Sequence, residues 1–219
     1  MTRDVIDTRY TSVRHAYDTV AEDYAALLPD TRPEAAIDLA MVDAFIAAVG
    51  AGARVLDAGC GAGRMSRYLA DRKVAVEGVD LSPGMVAMAR RDHPDLAFGV
   101  GSISDLPYED DTFDGVMLWY STIHTARDGQ PRLYDEASRV LRPGGHLLVA
   151  FQAGEGVHDT SATYRRHGHE VDLLRHRFAA DEAAAWMAAS GLRETCRLVR
   201  RPEGNERDDQ AVLIAQQPA

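Results

Sequence analysis

The feature that most restricts the fold of this chain is a short apolar segment that runs directly into a glycine-rich turn. Residues 54–58 (RVLDA) have the composition of a buried strand, and Gly59, Gly61 and Gly63 follow before a helical pattern begins. Glycine adopts backbone conformations closed to other residues and lets a ligand approach the main chain closely. This order predicts the first strand, turn and helix of a parallel α/β sheet, although a tight structural turn without a ligand has the same pattern.

Strands and helices alternate through the middle of the chain. Apolar runs predict further strands at 74–80, 96–100, 113–119 and 146–151. Helical patterns lie between most of them, one beginning at the cap Ser82 and another covering about 128–140, and Pro143-Gly-Gly145 predicts a tight turn. This alternation predicts an α/β fold, a Rossmann-like doubly wound sheet that is mostly parallel, with helices on both faces.

The two ends of the chain depart from that alternation. At the N-terminal end, one helix is expected over about 10–28, with Tyr10, Tyr17, Val20, Tyr24 and Leu27 on its apolar side. A second helix is expected to start with a capping box formed by Thr31 and Glu34 and to end at Gly50; its apolar face would hold Ile37, Met41, Ala44, Phe45 and Ala48.

At the C-terminal end, a helix over 181–190 precedes two strands, 192–199 and 210–215. The connection between these strands is too short for a helix, which favours an antiparallel last strand.

Charge and composition exclude several classes of protein. The chain carries 24 basic and 34 acidic residues, a net charge of −10, and its most basic stretch, 165–201, holds only eight basic against five acidic residues. Nucleic acid is therefore an unexpected partner. The sequence lacks an apolar run long enough for a membrane span and lacks a secretory leader. Two distant cysteines, Cys60 and Cys196, fit a reducing, cytoplasmic setting.

A second acidic residue indicates what the glycine turn binds. Asp80 ends the second predicted strand, 21 positions after Gly59. A carboxylate at that place can accept hydrogen bonds from both ribose hydroxyls of a nucleoside, although it could also simply cap the helix at Ser82. Together the turn and Asp80 predict an adenosine-containing cofactor, without separating a dinucleotide from S-adenosylmethionine.

Several motifs in order resemble the class I S-adenosylmethionine-dependent methyltransferases that act on small molecules. Similar to that family's motifs are VLDAGCGAG (55–63), VDLSPGM (79–85), LPYEDDTFD (106–114), LRPGGHL (141–147) and, in an N-terminal segment that often covers the cofactor, YDTVAEDY (17–24). The resemblance spans about residues 15–152. It implies S-adenosyl-L-methionine as the cofactor and the family's reversed last strand.

The resemblance also implies a role for individual residues. Asp57, Gly59, Gly61 and Gly63 would surround the methionine end of the cofactor, and Asp80 would bind the ribose. Adenine would lie against Leu81 and Met85, with Ser102 and Ile103 at its edge. The family commonly has an acidic residue in place of Ser102, and a hydroxyl supplies only an uncharged hydrogen bond. Leu118, Trp119 and Tyr120 would lie under the methionine amine, and Tyr17 and Tyr24 would cover the cofactor.

Domain boundaries follow from the same reading. The length fits one methyltransferase domain over 1–219. Within it we expect an N-terminal helical cap (1–50), a cofactor-binding core (51–152), a substrate loop or lid (153–180), and a final helix with an antiparallel strand pair (181–219).

His124, which follows the fourth predicted strand, is the candidate catalytic residue. An imidazole there could act as a general base if the acceptor must lose a proton, or could simply satisfy a loop carbonyl. Trp119 and Tyr120 could form an aromatic wall for a planar acceptor or could be core residues. The segment 153–180 carries His158, His167, His169 and His176, and the first three of these are weaker candidates. No metal site is expected, because His167-Gly-His169 lacks further ligands at fixed spacing.

The sequence as a whole therefore predicts a methyltransferase that transfers a methyl group to a small-molecule acceptor, at an oxygen, nitrogen or carbon atom. One alternative is an NAD(P)-dependent oxidoreductase, although Arg64 stands where its Gly-x-Gly-x-x-Gly motif needs glycine. Another is a non-catalytic module that only binds S-adenosylmethionine. The oligomeric state and the acceptor stay open.

Overall fold

A computed structural model describes residues 3–165 and 168–219, the side chains of 3–9 and of 163 excepted. The α-helices of this part of the chain are α1 (Arg3–Leu27), α2 (Ala36–Val49), α3 (Arg64–Asp71), α4 (Pro83–Asp92), α5 (Gln130–Val140), α6 (Ser161–Arg165) and α7 (Ala180–Ala189). The strands are β1 (Arg54–Ala58), β2 (Ala75–Asp80), β3 (Ala97–Val100), β4 (Phe113–Trp119), β5 (Leu141–Ala153), β6 (Val157–Asp159), β7 (Leu174–His176), β8 (Arg193–Arg200) and β9 (Asp209–Gln216).

Seven of these strands form one twisted sheet in the order β3-β2-β1-β4-β5-β9-β8. Strands β1 to β5 are parallel to one another, whereas β9 is antiparallel to both β5 and β8. The predicted fold, a Rossmann-like sheet with a reversed last strand, is confirmed. The strand order reverses between β1 and β4, and in such sheets ligands bind beyond the carboxyl ends of the strands at that point.

The core consists of two apolar layers, one on each face of the sheet. Along β4, Val116 and Leu118 face the layer covered by α5 and α7, while Met117 and Trp119 face the layer covered by α2 and α3. Successive side chains on a strand point to opposite faces, so a strand buried on both faces must be apolar throughout. This is why the central strands are continuous apolar runs.

The predicted start of α4 is confirmed, whereas that of α2 is wrong. Ser82 caps α4 by accepting the N–H of Met85 at 3.0 Å, with proline in the next position. The capping box at Thr31 does not form, because α2 begins at Ala36 and the side chain of Glu34 pairs with Arg64 instead.

The apolar faces predicted for α1 and α2 also need correction. Ile37 is 48% exposed and Leu27 is 67% exposed. The buried side of α1 holds Ala16, Val20, Ala21 and Ala25, and that of α2 holds Asp38, Met41, Val42 and Phe45.

Two irregular regions are more ordered than expected. Pro143–Gly145 is not a separate turn but lies within β5, as a bulge: β4 advances from Phe113 to Gly115 while β5 advances from Leu141 to His146. The segment 153–180, expected to be an irregular lid, contains an antiparallel pair, β6 and β7, and the short helix α6. In the described part of the chain, no helix is both long and apolar enough to cross a membrane.

A buried ion cluster attaches α2 to the edge of the sheet. Asp38, which is 1% exposed, accepts two hydrogen bonds from Arg200 of β8, at 2.8 and 2.5 Å. Arg200 also donates to Glu206, at 2.5 and 2.7 Å. One guanidinium is thus shared by two carboxylates.

We predict that Asp38→Ala destabilises the protein by about 3 kcal/mol, because a buried guanidinium loses one of its two anions. The change is measured as the free energy of unfolding in urea. Asp71→Ala is the matched control: Asp71 is 61% exposed in its pair with Arg67, and its removal should cost less than about 1 kcal/mol. Equal losses in the two variants would contradict the prediction.

Candidate active site

A cavity of about 640 Å³ opens at the carboxyl ends of β1, β2 and β4, between the sheet, α1 and the segment 157–176. Its volume lies within the about 300–1,000 Å³ that is usual for small-molecule sites. Most of the predicted site residues share its wall, namely Tyr17, Tyr24, Gly59, Gly61, Asp80, Leu81, Met85, Ser102, Ile103, Trp119, Tyr120 and His124.

Three predicted contact residues lie off this wall. Asp57 is 1% exposed and accepts the hydroxyl of Ser66 at 2.6 Å, so it holds α3 against the end of β1. Gly63 has its missing Cβ position within 3 Å of both His93 and Phe98, and the side chain of Leu118 is part of the apolar core. Direct contact of these residues with a cofactor stays a prediction, and their observed contacts are structural.

The glycine turn is shaped by its neighbours as well as by a ligand. Gly59 has φ = +81°, and a Cβ there would lie 2.2 Å from the Cβ of Ser121 in the loop after β4. Gly61 has φ = +54°, and a Cβ there would meet only Tyr24, at 3.9 Å. Gly59 is therefore required for packing, while Gly61 leaves the backbone open to the cavity.

Asp80 joins the glycine turn to the start of α4. One carboxylate oxygen accepts the N–H of Gly61 and the other accepts the N–H of Ser82, both at 2.8 Å. Burial raises the pKa of Asp80, although these two N–H groups act to lower it. Asp80 lines the cavity, and each of its oxygens can accept a further hydrogen bond there.

Helix α1 contributes a residue to the same corner that the sequence analysis did not single out. Asp18 accepts the Ser82 hydroxyl at 2.6 Å and the N–H of Gly84 at 2.9 Å. A carboxylate is favoured at a helix N-terminus, where the N–H groups of the first turn lack partners. The available signal was its position inside the N-terminal motif, next to Tyr17.

Beyond Asp80, the cavity is lined by Leu81, Met85, Ser102 and Ile103. The Ser102 hydroxyl lies 2.9 Å from the hydroxyl of Ser104 and accepts the N–H of that residue at 3.2 Å. Part of its hydrogen-bonding capacity is thus already used inside its own loop.

The floor near the end of β4 is aromatic and partly polar. Trp119 and Tyr120 meet edge to face at 5.4 Å, and the Tyr120 hydroxyl donates to Gln210 at 2.7 Å. Tyr120 has φ = +54°, a strained conformation for a non-glycine residue. Within the described chain, Trp119 Nε1, Ser121 Oγ and Gln152 Oε1 lack hydrogen-bond partners although they are buried, as expected where a polar ligand completes the wall.

His124 is held by both of its ring nitrogens. Nδ1 lies 2.7 Å from the carbonyl oxygen of Leu174 in β7, so Nδ1 carries a proton and donates it. Nε2 lies 2.8 Å from the hydroxyl of Tyr17 and accepts its proton. Burial lowers the pKa of His124 to about 4, so the ring is neutral at physiological pH. The carbonyl contact expected of a structural histidine is thus present, and a proton-accepting nitrogen also faces Tyr17.

The described histidines of the segment 153–180 do not form a cluster. His158 lines the cavity, His169 Nε2 lies 2.7 Å from Asp23 of α1, and His176 stacks on Phe178. His167 lies outside the described residues. Among those described, no group of three His, Cys, Asp or Glu side chains is arranged to hold a metal ion.

Several charged residues of the cavity, unlike Asp80, were not predicted from the sequence. Arg64 and Glu34 form an ion pair in its wall, with Nη1 2.5 Å from Oε1. Arg175 of β7 and Asp208 of the loop before β9 form a second ion pair in the wall. The weak basic stretch at 165–201 was the one signal for Arg175, and it resembled a solvated face.

Residues 55–145 match a family described as a methyltransferase domain. A segment of the chain is 44% identical over 101 residues to a demethylmenaquinone methyltransferase of Beutenbergia cavernae, covering 45% of this chain and 40% of the relative. Another is 36% identical over 116 residues to a malonyl-[acyl-carrier protein] O-methyltransferase of Pectobacterium atrosepticum, covering 52% and 45%. The chain thus spans less than half the length of these two relatives.

A solved structure supports the fold over the full length. The Burkholderia thailandensis 1,6-didemethyltoxoflavin-N1-methyltransferase, bound to 1,6-didemethyltoxoflavin and S-adenosylhomocysteine, superposes with a TM-score of 0.73 at 20% identity. The superposition covers 100% of this chain and 92% of that one. At this identity the likeness concerns the fold.

We predict that ionisation of Asp57 costs stability. Burial raises its pKa to about 6, above the about 3.9 of an unfolded chain. Between pH 4 and 6 the folded state therefore binds more protons, and its stability falls by about 2–3 kcal/mol as pH rises through that window.

Asp57→Asn keeps an oxygen for the Ser66 hydroxyl and removes the titration. Urea unfolding at pH 4.5 and 7.5 measures the difference. The variant should lose less stability than the unsubstituted protein on going to the higher pH, and identical pH dependence in both proteins would contradict the prediction.

Proposed function

This chain carries a class I S-adenosylmethionine-dependent methyltransferase domain, whose cofactor is S-adenosyl-L-methionine, and on that premise we propose that the protein transfers the methyl group to a small-molecule acceptor. The observation that carries the proposal is the joint position of the Gly59–Gly61 turn and Asp80 at the edge of one cavity. Activity and acceptor are both proposals, because the chain spans less than half the length of the two relatives described above.

The wall of the cavity fits this cofactor. Asp80 has unused acceptor capacity where two ribose hydroxyls would donate, and the main chain at Gly61 is open. Leu81 and Met85 offer an apolar surface to a purine, and Arg64 and Glu34 offer opposite charges to the amino and carboxylate groups of a methionine end. Buried polar atoms of Trp119 and Ser121 without partners mark where further hydrogen bonds would form.

The cofactor supplies an electrophilic methyl group on a sulfonium, with a neutral leaving group that needs no acid. What the protein has to supply is alignment of the acceptor, which is worth up to about 7–11 kcal/mol for well-oriented reactants. Asp80, the glycine turn and the floor at Trp119 and Tyr120 provide fixed points for that alignment. Strain at Tyr120 is a sign that this floor is held by its surroundings.

The proposed chemistry leaves little room for a general base that removes a proton from the acceptor. His124 is neutral, and its Nε2 is the accepting nitrogen, so it could take a proton only through or in place of Tyr17. Burial raises the pKa of Tyr17 and lowers that of His124, so both groups resist becoming charged. We infer that His124 mainly positions Tyr17 and the lid, and that the acceptor reacts in a form that needs little help from a base.

Closure of the site involves the N-terminal helix α1 and the hairpin β6–β7. Helix α1 and the hairpin β6–β7 meet over the cavity through Tyr17, His124 and Leu174. We propose that 1–50 act as a cap and 153–180 as a lid on a single domain, which would exclude water from the reacting groups. We also propose a cytoplasmic location, which the two free cysteines support.

We predict that Asp80→Ala lowers the affinity for S-adenosylmethionine at least about tenfold, because charge-assisted hydrogen bonds are lost. Isothermal titration calorimetry measures this directly. Asp95→Ala, which removes an exposed partner of Arg67, is the control and should bind normally. Unchanged affinity in Asp80→Ala would remove this residue from the site.

Turnover is tested by release of S-adenosylhomocysteine with a panel of small hydroxylated, aminated and carboxylated acceptors. We expect release that depends on at least one acceptor. Cofactor binding without release from any acceptor would favour the non-catalytic module, and tight NADH binding without S-adenosylmethionine binding would favour the oxidoreductase, against which the methyltransferase match argues.

A further inference from the structure

One part of the cavity wall is formed by charged and polar side chains. These side chains come from the β6–β7 hairpin and from the loop before β9. His158 and Arg175 are paired across the hairpin, so they lie on one face of it, and both line the cavity. Glu206 and Asp208 line it from the opposite loop. An acceptor placed here meets charges and hydrogen-bonding groups rather than an apolar channel.

Two arginines in this region share a single carboxylate. Arg175 Nη2 donates to one oxygen of Asp208 and Arg177 Nη1 donates to the other, each at 2.8 Å. The Asp208 side chain is only 10% exposed, and those of Arg175 and Arg177 are 19% and 30% exposed. These three side chains together carry one excess positive charge, which makes the place favourable for an anion.

Both arginines also have N–H donors that Asp208 does not use. Asp208 takes one of the five N–H donors of Arg175, and Nε of each arginine is buried without a partner among the described residues. Arg175 stands on the cavity wall, whereas Arg177 is not one of the residues that line it. A planar guanidinium with free donors matches the geometry of a carboxylate.

The charge pattern across the cavity is asymmetric. Arg200 is shared by the two carboxylates Asp38 and Glu206, which is the reverse of the Arg175 cluster. The Arg200 cluster thus has one excess negative charge, and the Arg175 cluster has one excess positive charge. Asp208 is held in place because its carbonyl accepts the side-chain amide of Gln210, which in turn accepts the Tyr120 hydroxyl. Asp208, which binds Arg175, is thus connected through Gln210 to Tyr120 in the floor of the site.

We propose that the methyl acceptor carries a carboxylate and that Arg175 binds it, which makes Arg175 a specificity-determining residue. This rests on the proposed function, because the same cavity must hold the cofactor. The shared volume of about 640 Å³ keeps the acceptor small.

The competing explanation is that Arg175 only fastens the lid to the loop through Asp208. Both arginines make that contact, but Arg175 alone of the two lines the cavity. Arg177→Gln therefore removes an equivalent lid contact while leaving the cavity donors in place, and it serves as the matched control for Arg175→Gln.

The experiment measures binding of matched acid and amide pairs to protein saturated with S-adenosylhomocysteine. Each pair is a carboxylic acid and its primary amide, on hydroxybenzene, indole and short aliphatic scaffolds, titrated by calorimetry. We expect at least one acid to bind at least about tenfold more tightly than its amide. Arg175→Gln should abolish that preference, Arg175→Lys should retain part of it, and Arg177→Gln should keep it within about threefold.

Failure of this inference can be told from failure of the proposed function. If S-adenosylhomocysteine does not bind the unsubstituted protein, the function is wrong. If it binds, the inference is overturned by acids and amides binding alike, by no acid binding, or by Arg175→Gln keeping the preference. Affinity for S-adenosylhomocysteine within about twofold in all variants shows that the folded site is intact.

Discussion

The double hydrogen bond of the Asp80 carboxylate is the contact on which the rest of the site depends. One oxygen fixes the glycine turn through Gly61 and the other fixes the start of α4 through Ser82. Asp18 of α1 binds the same helix start, through Ser82 and Gly84. Two acidic side chains thus join the glycine turn, the start of α4 and helix α1 at the carboxyl end of β2. These contacts fix the positions of the three segments around the cavity.

Local patterns made most of the sheet and part of the site predictable. The β1 strand, the glycine turn and the Ser82 cap each depend on residues close together in sequence, and all three form as expected. The parallel order followed from the alternation of strands and helices. The placement of Asp57 was less predictable, because a motif does not say whether a side chain faces the ligand or the helix packed behind it; Asp57 faces Ser66.

Contacts between distant residues were beyond the reach of local patterns. The capping box at Thr31 had the right spacing, but Glu34 is used by Arg64, which lies 30 positions later and offers a full charge. Asp38 is a charged residue in an otherwise apolar helix, where a local pattern would leave it exposed. It is buried because it pairs with Arg200 of the edge strand β8. In each case a long-range ion pair outweighs a local preference worth about 1 kcal/mol.

Closure and proton transfer compete for the same imidazole. His124 joins α1 to the lid through Nδ1, which donates to Leu174, and Nε2, which accepts from Tyr17. A proton taken up at Nε2 would convert this nitrogen into a donor, and the Tyr17 hydroxyl would have to turn and accept instead. The same burial that makes the contact strong lowers the pKa of His124 to about 4 and so protects it. A site built this way favours an acceptor that needs no base, and Arg175 is placed on the cavity wall to hold such an acceptor by its carboxylate.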